Sequence, residues 1–227
     1  MTACGVASKT RPIIMTAESV RATLAGRKTQ TRRVIVPQPD QEYNLDPPVY
    51  RPEFCGWAHP IASTWDIEDG EAKLWRCPYG IPGDRLWVRE KFITGWETDG
   101  DDVQYCDDAG NDLPKRVWFA ADRDLDAWAM DDGPLVENIP WKPSIHMPRS
   151  LSRLTLEVVS IRVERVQEIG KADAISEGFE KQPCLPIDPR DWYRSEWHRI
   201  NAKRAKGAYA WDKNPWVWVI EYKPLAA

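Results

Sequence analysis

The chain has 227 residues, of which 42% are hydrophobic and 29% charged, and its formal net charge is −4. This composition is ordinary for a soluble globular protein, and the length is enough for one domain with a buried core and insertions. The negative charge excludes a global basic field for non-specific nucleic-acid binding, so any contact with a polyanion has to be local.

The five cysteines are widely spaced and include no C-x-x-C pair, which favours neither a disulfide framework nor a zinc site. Cys55, His59 and Cys77 form one feasible local set, but no second closely spaced pair completes a tetrahedral site. We therefore expect no metal and no cofactor. No apolar run approaches the about 20 residues of a membrane span. The N-terminus lacks the apolar region of a signal peptide, so we expect a cytoplasmic location.

The first predicted elements are a short apolar strand over 11–16 and a helix that follows Thr16 as its N-cap and runs to about residue 25. Val20 and Leu24 are four residues apart, which places both on the buried face of this helix. Gly26 ends the helix as a residue that accepts a left-handed backbone. A basic segment then leads into a β-branched run.

Two stretches of the chain show little periodicity and are predicted to be loop insertions, at about 37–80 and 95–150. The first contains a possible hairpin near 64–65 and 74–75. The second contains a weak hairpin that pairs 103–105 with 116–120. Between the insertions, the segment 85–93 alternates as a strand, with one face formed by Leu86, Val88 and Glu90.

The last third of the chain gives the strongest element signals. A long strand is predicted over 154–166, with a bulge, and a short helix over 168–177. A second helix covers 188–202, with Trp192, Trp197 and Ile200 on one side. A closing strand covers 216–222. Short strands interrupted by two or three helices predict an α+β fold, a small barrel or curved sheet with helices at its rim. No linker is evident, so 1–10 is a tail and 11–227 one domain.

The segment after the first helix reads Gly26-Arg27-Lys28-Thr29-Gln30-Thr31-Arg32-Arg33. It resembles the G-x-K-x-x-x-x-R signature of the ASCH domain. Three further features agree in order: Pro82-Gly83-Asp84 before a strand, Asp173 to Gly178 in a short helix, and Trp218 to Glu221 in the last strand. The chain is similar to ASCH proteins of phages and prophages from about residue 11 to 223. The resemblance implies a PUA-like small β-barrel with flanking helices, here with long insertions.

Within that family, the motif G-R-K-T-x-T resembles the branch of bacterial N4-acetylcytidine amidohydrolases. The resemblance implies three catalytic residues, Lys28, Thr31 and Glu177, and metal-independent hydrolysis of an acylated cytidine-type nucleoside. Arg27, Arg32 and Arg33, the basic residues around Lys28, and Trp87, an aromatic ring suited to stacking, are the candidates for substrate binding.

The chemistry of these residue types is consistent with that activity. A threonine hydroxyl is a weak nucleophile until a base removes its proton. Lys28 can act as that base only if desolvation or neighbouring cations lower its pKa, and three arginines surround it in sequence. Glu177 could protonate the departing amine or hold the edge of the base. Arg33 could orient the substrate or bind an oxyanion.

Other interpretations stay open at this stage. The basic segment can be a solvated turn, and Glu177 an ordinary late-helix surface residue. His146 could face the cleft, although a lone histidine is more often packed or at the surface. A second function class is RNA or nucleotide binding without chemistry, with a base stacked on Trp87, Trp141 or Trp218. A third is a phage-encoded protein that binds a host factor through the 37–80 loop.

Overall fold

The computed structural model describes residues 8–39, 49–51, 56–58, 74–95, 98–99, 102–103, 116–122, 141–181 and 186–225. These residues form three α-helices: α1 (Ala17–Leu24), α2 (Lys171–Ser176) and α3 (Pro189–Asn201). They also form the following strands: β1 (Thr10–Ile14), β2 (Gln30–Val34), β3 (Val49–Arg51), β4 (Gly56–Ala58), β5 (Arg85–Arg89), β6 (Phe92–Gly95), β7 (Thr98–Asp99), β8 (Asp102–Val103), β9 (Arg116–Phe119), β10 (Thr155–Arg165) and β11 (Trp216–Pro224). No described helix has the length and apolar character needed to cross a membrane.

The fold is mixed α+β with a mostly open sheet. Its five strands follow the order β1-β5-β10-β11-β2, and three two-stranded pairs, β3-β4, β6-β9 and β7-β8, accompany it. The chain divides into two compact units. The first contains Met1–Arg11, Ala22–Leu86 and Thr155–Ala227, and the second contains Pro12–Arg21 and Trp87–Leu154.

In the first unit, β11 pairs antiparallel with β10 on one side and with β2 on the other. Val219 lies opposite both Arg162 and Arg32, and the next residue, Ile220, lies opposite Thr31. Since directly opposed side chains share a face of a sheet, Arg32 and Thr31 project from opposite faces of β2. This alternation separates the basic residues of the motif into two environments.

Each face of this sheet is covered by a different part of the first unit. On the Val219 face, α2 and α3 contribute Ala174, Tyr193 and Trp197 to a buried cluster that includes Val217. On the other face, the ring of Trp218 meets Trp57 edge-on at 4.7 Å. Burial of these large apolar side chains is the main stabilising contribution to the unit.

The second unit contains the β6-β9 pair, in which Phe92 lies opposite Phe119. The backbone N–H of Glu90 donates to the sulfur of Met147, and both residues are buried. Within this unit, Arg153 forms ion pairs with the carboxylates of Glu90 and Asp122.

Several sequence predictions are confirmed. Leu86, Val88 and Glu90 are all buried, as the alternation in β5 predicts. The long strand β10 carries its irregularity between Val158 and Ser160.

Other predictions are wrong in register or partner. Arg116–Phe119 pairs with β6 instead of with the strand at Val103, which pairs with Thr98. Tyr105 lies outside the described residues, as does the 64–65 side of the other predicted hairpin. The described partner of Trp75 in that region is Trp57.

The two amphipathic helices bury different stripes from those predicted. Leu24 is exposed, and Thr23 is buried in its place beside Val20 in α1. Ile200 is exposed as well, since α3 buries the i, i+4, i+8 stripe Tyr193, Trp197 and Asn201. The predicted helix over 168–177 is the 3-10 turn Val166–Glu168 followed by α2.

Candidate functional site

A tight turn after α1 places Lys28. The backbone N–H groups of Arg27 and Lys28 both donate to the carbonyl of Ala22, at 2.9 and 3.0 Å. Gly26 has a φ of +71°, which lets the chain reverse before β2 begins. Hydrogen bonds to the end of α1 therefore fix the backbone position of Lys28.

Glu177 comes from the end of α2, and its backbone N–H donates to the carbonyl of Asp173 at 2.8 Å. The next residue, Gly178, has a φ of +103°, and a Cβ there would lie 3.3 Å from the Cβ of Lys28. The Thr29 N–H donates to the Ser176 carbonyl at 2.9 Å. The glycine thus allows the turn after α2 and the segment before β2 to approach closely.

Lys28 and Glu177 form a buried ion pair. The Nζ of Lys28 donates to Oε2 of Glu177 at 2.6 Å and to the Glu177 backbone carbonyl at 2.7 Å. The two side chains are only 6% and 5% exposed. Burial lowers the pKa of Lys28, Arg33 and Arg32 lower it further, and the Glu177 carboxylate opposes the shift. The site thus combines an ion pair with the environment that a lysine base requires.

Arg32 approaches the same carboxylate from the other side. Its side chain has no exposed surface, and its Nη1 lies 3.4 Å from Oε1 of Glu177. The Nη2 donates to Asp173 at 2.7 Å and to Glu164 at 3.0 Å. Among the described residues, its Nε has no hydrogen-bond partner. One guanidinium therefore serves three carboxylates, with its shortest bond to Asp173.

The charges continue outward from Arg32 to solvent. Arg162 donates to Glu164, to Glu221 and, at 3.0 Å, to Asp173. The other oxygen of Glu221 accepts from the Ser160 hydroxyl at 2.8 Å. Positive and negative groups alternate from Glu221 to Lys28, so each buried charge has an opposite charge beside it.

Two buried phenols lie near these charges. Burial raises the pKa of both Tyr193 and Tyr222, so both are neutral at physiological pH. The guanidinium carbon of Arg32 lies 5.8 Å from the centre of the Tyr193 ring. The hydroxyl of Tyr222 is 3.2 Å from that of Thr23.

The remaining predicted residues have different surroundings. Thr31 is buried, and its side chain makes no hydrogen bond with Lys28 or Glu177 among the described residues. Arg33 lies over the ring of Tyr79, 5.9 Å from its centre. Arg27 is partly exposed and pairs with Glu180. Trp87 belongs to the second unit, where Arg89 lies 5.2 Å from the centre of its ring. The structure thus joins Lys28, Glu177 and Arg32 directly.

Three residues of the network, Asp173, Glu164 and Arg162, were not predicted. A signal for each was present in the sequence. Asp173 precedes Glu177 by four residues, which places both on one side of a helical turn. Arg162 and Glu164 are oppositely charged residues two apart in the predicted strand, so they share one of its faces.

The suggested metal set is not described as a whole, because Cys55 and His59 lie outside the described residues. Burial raises the pKa of the Cys77 thiol to about 12, which keeps it protonated. Among the described residues, no three His, Cys, Asp or Glu side chains are grouped as metal ligands. In comparisons with known proteins, no protein-family model, no curated protein and no solved structure matches this chain.

Proposed function

We propose that this protein is an amidohydrolase of the ASCH type that removes the acyl group from an N4-acylated cytidine, in a PUA-like fold. The observation that carries the proposal is the buried bond between Lys28 and Glu177, which are 149 residues apart in sequence. A lysine base needs a desolvated position close to other cations, and Lys28 has both.

The chemistry assigns a role to Lys28 and to Thr31, and Glu177 either donates to the departing amine or holds the edge of the base. Neutral Lys28 takes the proton of the Thr31 hydroxyl, and the Thr31 oxygen attacks the acyl carbon of the substrate. The carbon–N4 bond breaks, and N4 leaves as an amine with the proton that Lys28 received. Water then hydrolyses the threonine ester, which releases the carboxylic acid and restores the hydroxyl. Threonine, lysine and glutamate suffice for these steps.

Because Lys28 donates to Glu177 and not to Thr31 in this structure, the mechanism includes one movement. The Nζ of Lys28 leaves the Glu177 carboxylate and reaches Thr31 when the substrate occupies the site. Apo active sites commonly show long or misdirected hydrogen bonds that tighten only in the substrate complex.

The test is incubation of the purified protein with N4-acetylcytidine and longer N4-acylated cytidines, with cytidine release measured by mass spectrometry. We expect product from the wild type and a loss of about a thousandfold or more in Lys28→Ala. Lys223→Ala is the matched control, since Lys223 is an exposed lysine of the same unit that pairs with Glu157. Absence of product with the wild type, or equal rates in the two lysine variants, would reject the proposal.

A second candidate function is nucleotide or RNA binding without turnover, and one feature favours it. The segment 189–213 contains seven Lys or Arg residues and three Asp or Glu residues, although the whole chain has a net charge of −4. Trp218 does not serve this function as a stacking surface, because it is 2% exposed. Salt-sensitive binding of an unmodified oligonucleotide, with no product from any acylated cytidine, would support this alternative.

A further inference from the structure

Arg32 lies behind the candidate site. Its side chain has no exposed surface, so a substrate could not contact it without displacing neighbouring side chains. Asp173 and Glu164 hold one of its terminal nitrogens at 2.7 and 3.0 Å. The other terminal nitrogen points at Glu177. Any effect of Arg32 on a reaction therefore has to pass through Glu177 or Lys28.

The two oxygens of Glu177 have different partners. Oε1 faces Arg32 at 3.4 Å, and Oε2 accepts from Lys28 at 2.6 Å. When Lys28 loses its proton to act as a base, Oε2 loses its charged partner. Arg32 keeps its charge at every physiological pH, so the positive charge beside Oε1 remains. Oε2 is then free to accept a hydrogen bond from the substrate.

We propose that Arg32 is a positioning residue which, anchored by Asp173 and Glu164, holds the Glu177 carboxylate in place as a hydrogen-bond acceptor while Lys28 alone carries the proton. This inference rests on the proposed amidohydrolase function and decides between the two roles open to Glu177. The proton of Thr31 moves to Lys28 and then to N4 of the departing cytidine. Glu177 gains and loses no proton, and it holds an N–H of the base.

The charged groups that act on Lys28 are Glu177, Arg33 and Arg32, and the phenols beside Glu177 are neutral. Removal of Arg32 takes away one of the two cations that lower the pKa of Lys28. The lysine then stays protonated to a higher pH, and Glu177 holds it more tightly. The fraction of free base at neutral pH falls.

The kinetic experiment measures kcat/KM against pH on N4-acetylcytidine for the wild type, Arg32→Gln and Arg32→Lys. We expect the rising limb of Arg32→Gln to move to higher pH, with a loss of about tenfold or more at pH 7. Arg32→Lys should recover most of the activity and the original limb. Glu221→Gln is the control, because it breaks bonds to Arg162 and Ser160 in the same network without touching Arg32. A loss of activity in Arg32→Gln with an unmoved limb, or the same shift in Glu221→Gln, would overturn the proposal.

A second measurement requires no turnover. The carbon-13 shift of the Lys28 Cε, followed against pH, should titrate below the other lysines and move upward in Arg32→Gln. If that variant does not fold, Arg32→Met/Asp173→Leu replaces it, since it removes the cation together with its closest anion. An unchanged titration would overturn the proposal. If no acylated cytidine is hydrolysed but the titration moves as expected, the amidohydrolase function fails, and the hold of Arg32 on the Lys28–Glu177 pair stands.

Discussion

Two ion clusters, one in each unit and each containing a buried carboxylate, differ in how completely their hydrogen-bonding groups are satisfied. In the second unit, Arg153 donates to both oxygens of Glu90, at 2.9 and 3.0 Å, and to both oxygens of Asp122. The ring of Phe119 covers the guanidinium at 4.1 Å. All three nitrogens of this arginine have partners, in the fork geometry that suits carboxylates.

The cluster around Glu177 also joins arginine to carboxylates, but its hydrogen-bonding groups are less completely paired. The Nε of Arg32 has no partner among the described residues, and its bond to Glu177 is long at 3.4 Å. Lys28 has three donor protons, and its two acceptors among the described residues are both on Glu177. A fully satisfied buried network specifies structure, whereas unmet hydrogen bonds are tolerated where a ligand or a reaction uses them. The difference is consistent with a structural role for the Arg153 cluster and with the catalytic role that we propose for the Lys28–Glu177 cluster.

The largest expected effect concerns the structural role of the Arg153 cluster. Arg153→Met leaves the buried Glu90 without its cation, and we expect the free energy of unfolding to fall by about 3 kcal/mol. Glu90→Leu/Arg153→Met should recover most of this loss, because no buried charge then remains unpaired. Urea denaturation followed by circular dichroism measures both variants. A double variant as unstable as the single one would show that packing, and not charge pairing, explains the cluster.

The second prediction concerns the close approach at Gly178. Gly178→Ala should lower the free energy of unfolding by about 2 kcal/mol, because the new Cβ meets Lys28 and Ala22 in a left-handed conformation. Gly26→Ala is the matched control, with positive φ but open space around its Cβ, and should cost about 1 kcal/mol. Equal losses in the two variants would mean that the contact with Lys28 has no energetic effect.

The third prediction concerns the removal of Lys28, the lysine cation of the Lys28–Glu177 cluster. Lys28→Met should lower the free energy of unfolding by about 1 kcal/mol or less at pH 7, since Glu177 keeps Arg32 as a partner. The same urea titration measures it beside Arg153→Met. A loss as large as that of Arg153→Met would contradict the proposed difference between the two clusters.

The smallest expected effects concern how the free energy of unfolding changes with pH. Glu90 and Lys28 should contribute slopes of opposite sign. Burial raises the pKa of Glu90 although Arg153 opposes it, so the folded chain binds more protons above the ordinary value of about 4.3. The stability that Glu90 contributes therefore falls as pH rises from that value to the raised pKa. Burial lowers the pKa of Lys28, so its contribution rises as pH rises toward about 10.4.

Each slope is obtained by measuring the free energy of unfolding of the wild type and of one variant at several pH values and plotting the difference against pH. Glu90→Gln removes the acidic slope, and Lys28→Met removes the alkaline one. Slopes of the same sign in the two difference curves would contradict the assignment.

The pattern of apolar and polar residues along the sequence correctly predicted features that depend on a single strand. The buried row Leu86, Val88 and Glu90 follows from alternation, and the irregularity in β10 follows from the change of apolar parity along that strand. The pairing of strands that are far apart in sequence could not be predicted from this pattern. A neighbouring segment was chosen as the partner of β9, whereas the structure pairs it with β6 across an insertion.

The helix stripes were misjudged for a related reason. Counting only apolar residues selected Ile200, while the surface that α3 meets accommodates Tyr193 and Asn201. In the site, no periodicity connects Lys28 with Glu177. That pair was expected from family resemblance alone, and its bond is formed by the tertiary fold. Arg32 was expected to bind substrate. Its burial could not be predicted, because a segment rich in basic residues is usually exposed to solvent.

The strand that carries the motif has one more property, its place at the end of the sheet. No described strand lies beyond β2 in the order, so part of its backbone faces outward. Such edges can pair with another chain, and charged side chains are a common protection against it. Arg32 and Arg33 lie on this strand, and the Thr29–Ser176 hydrogen bond covers its beginning. The Arg32 side chain is buried, so Arg33 is the charged residue of β2 that can protect this edge, and an apolar replacement of Arg33 would remove that protection.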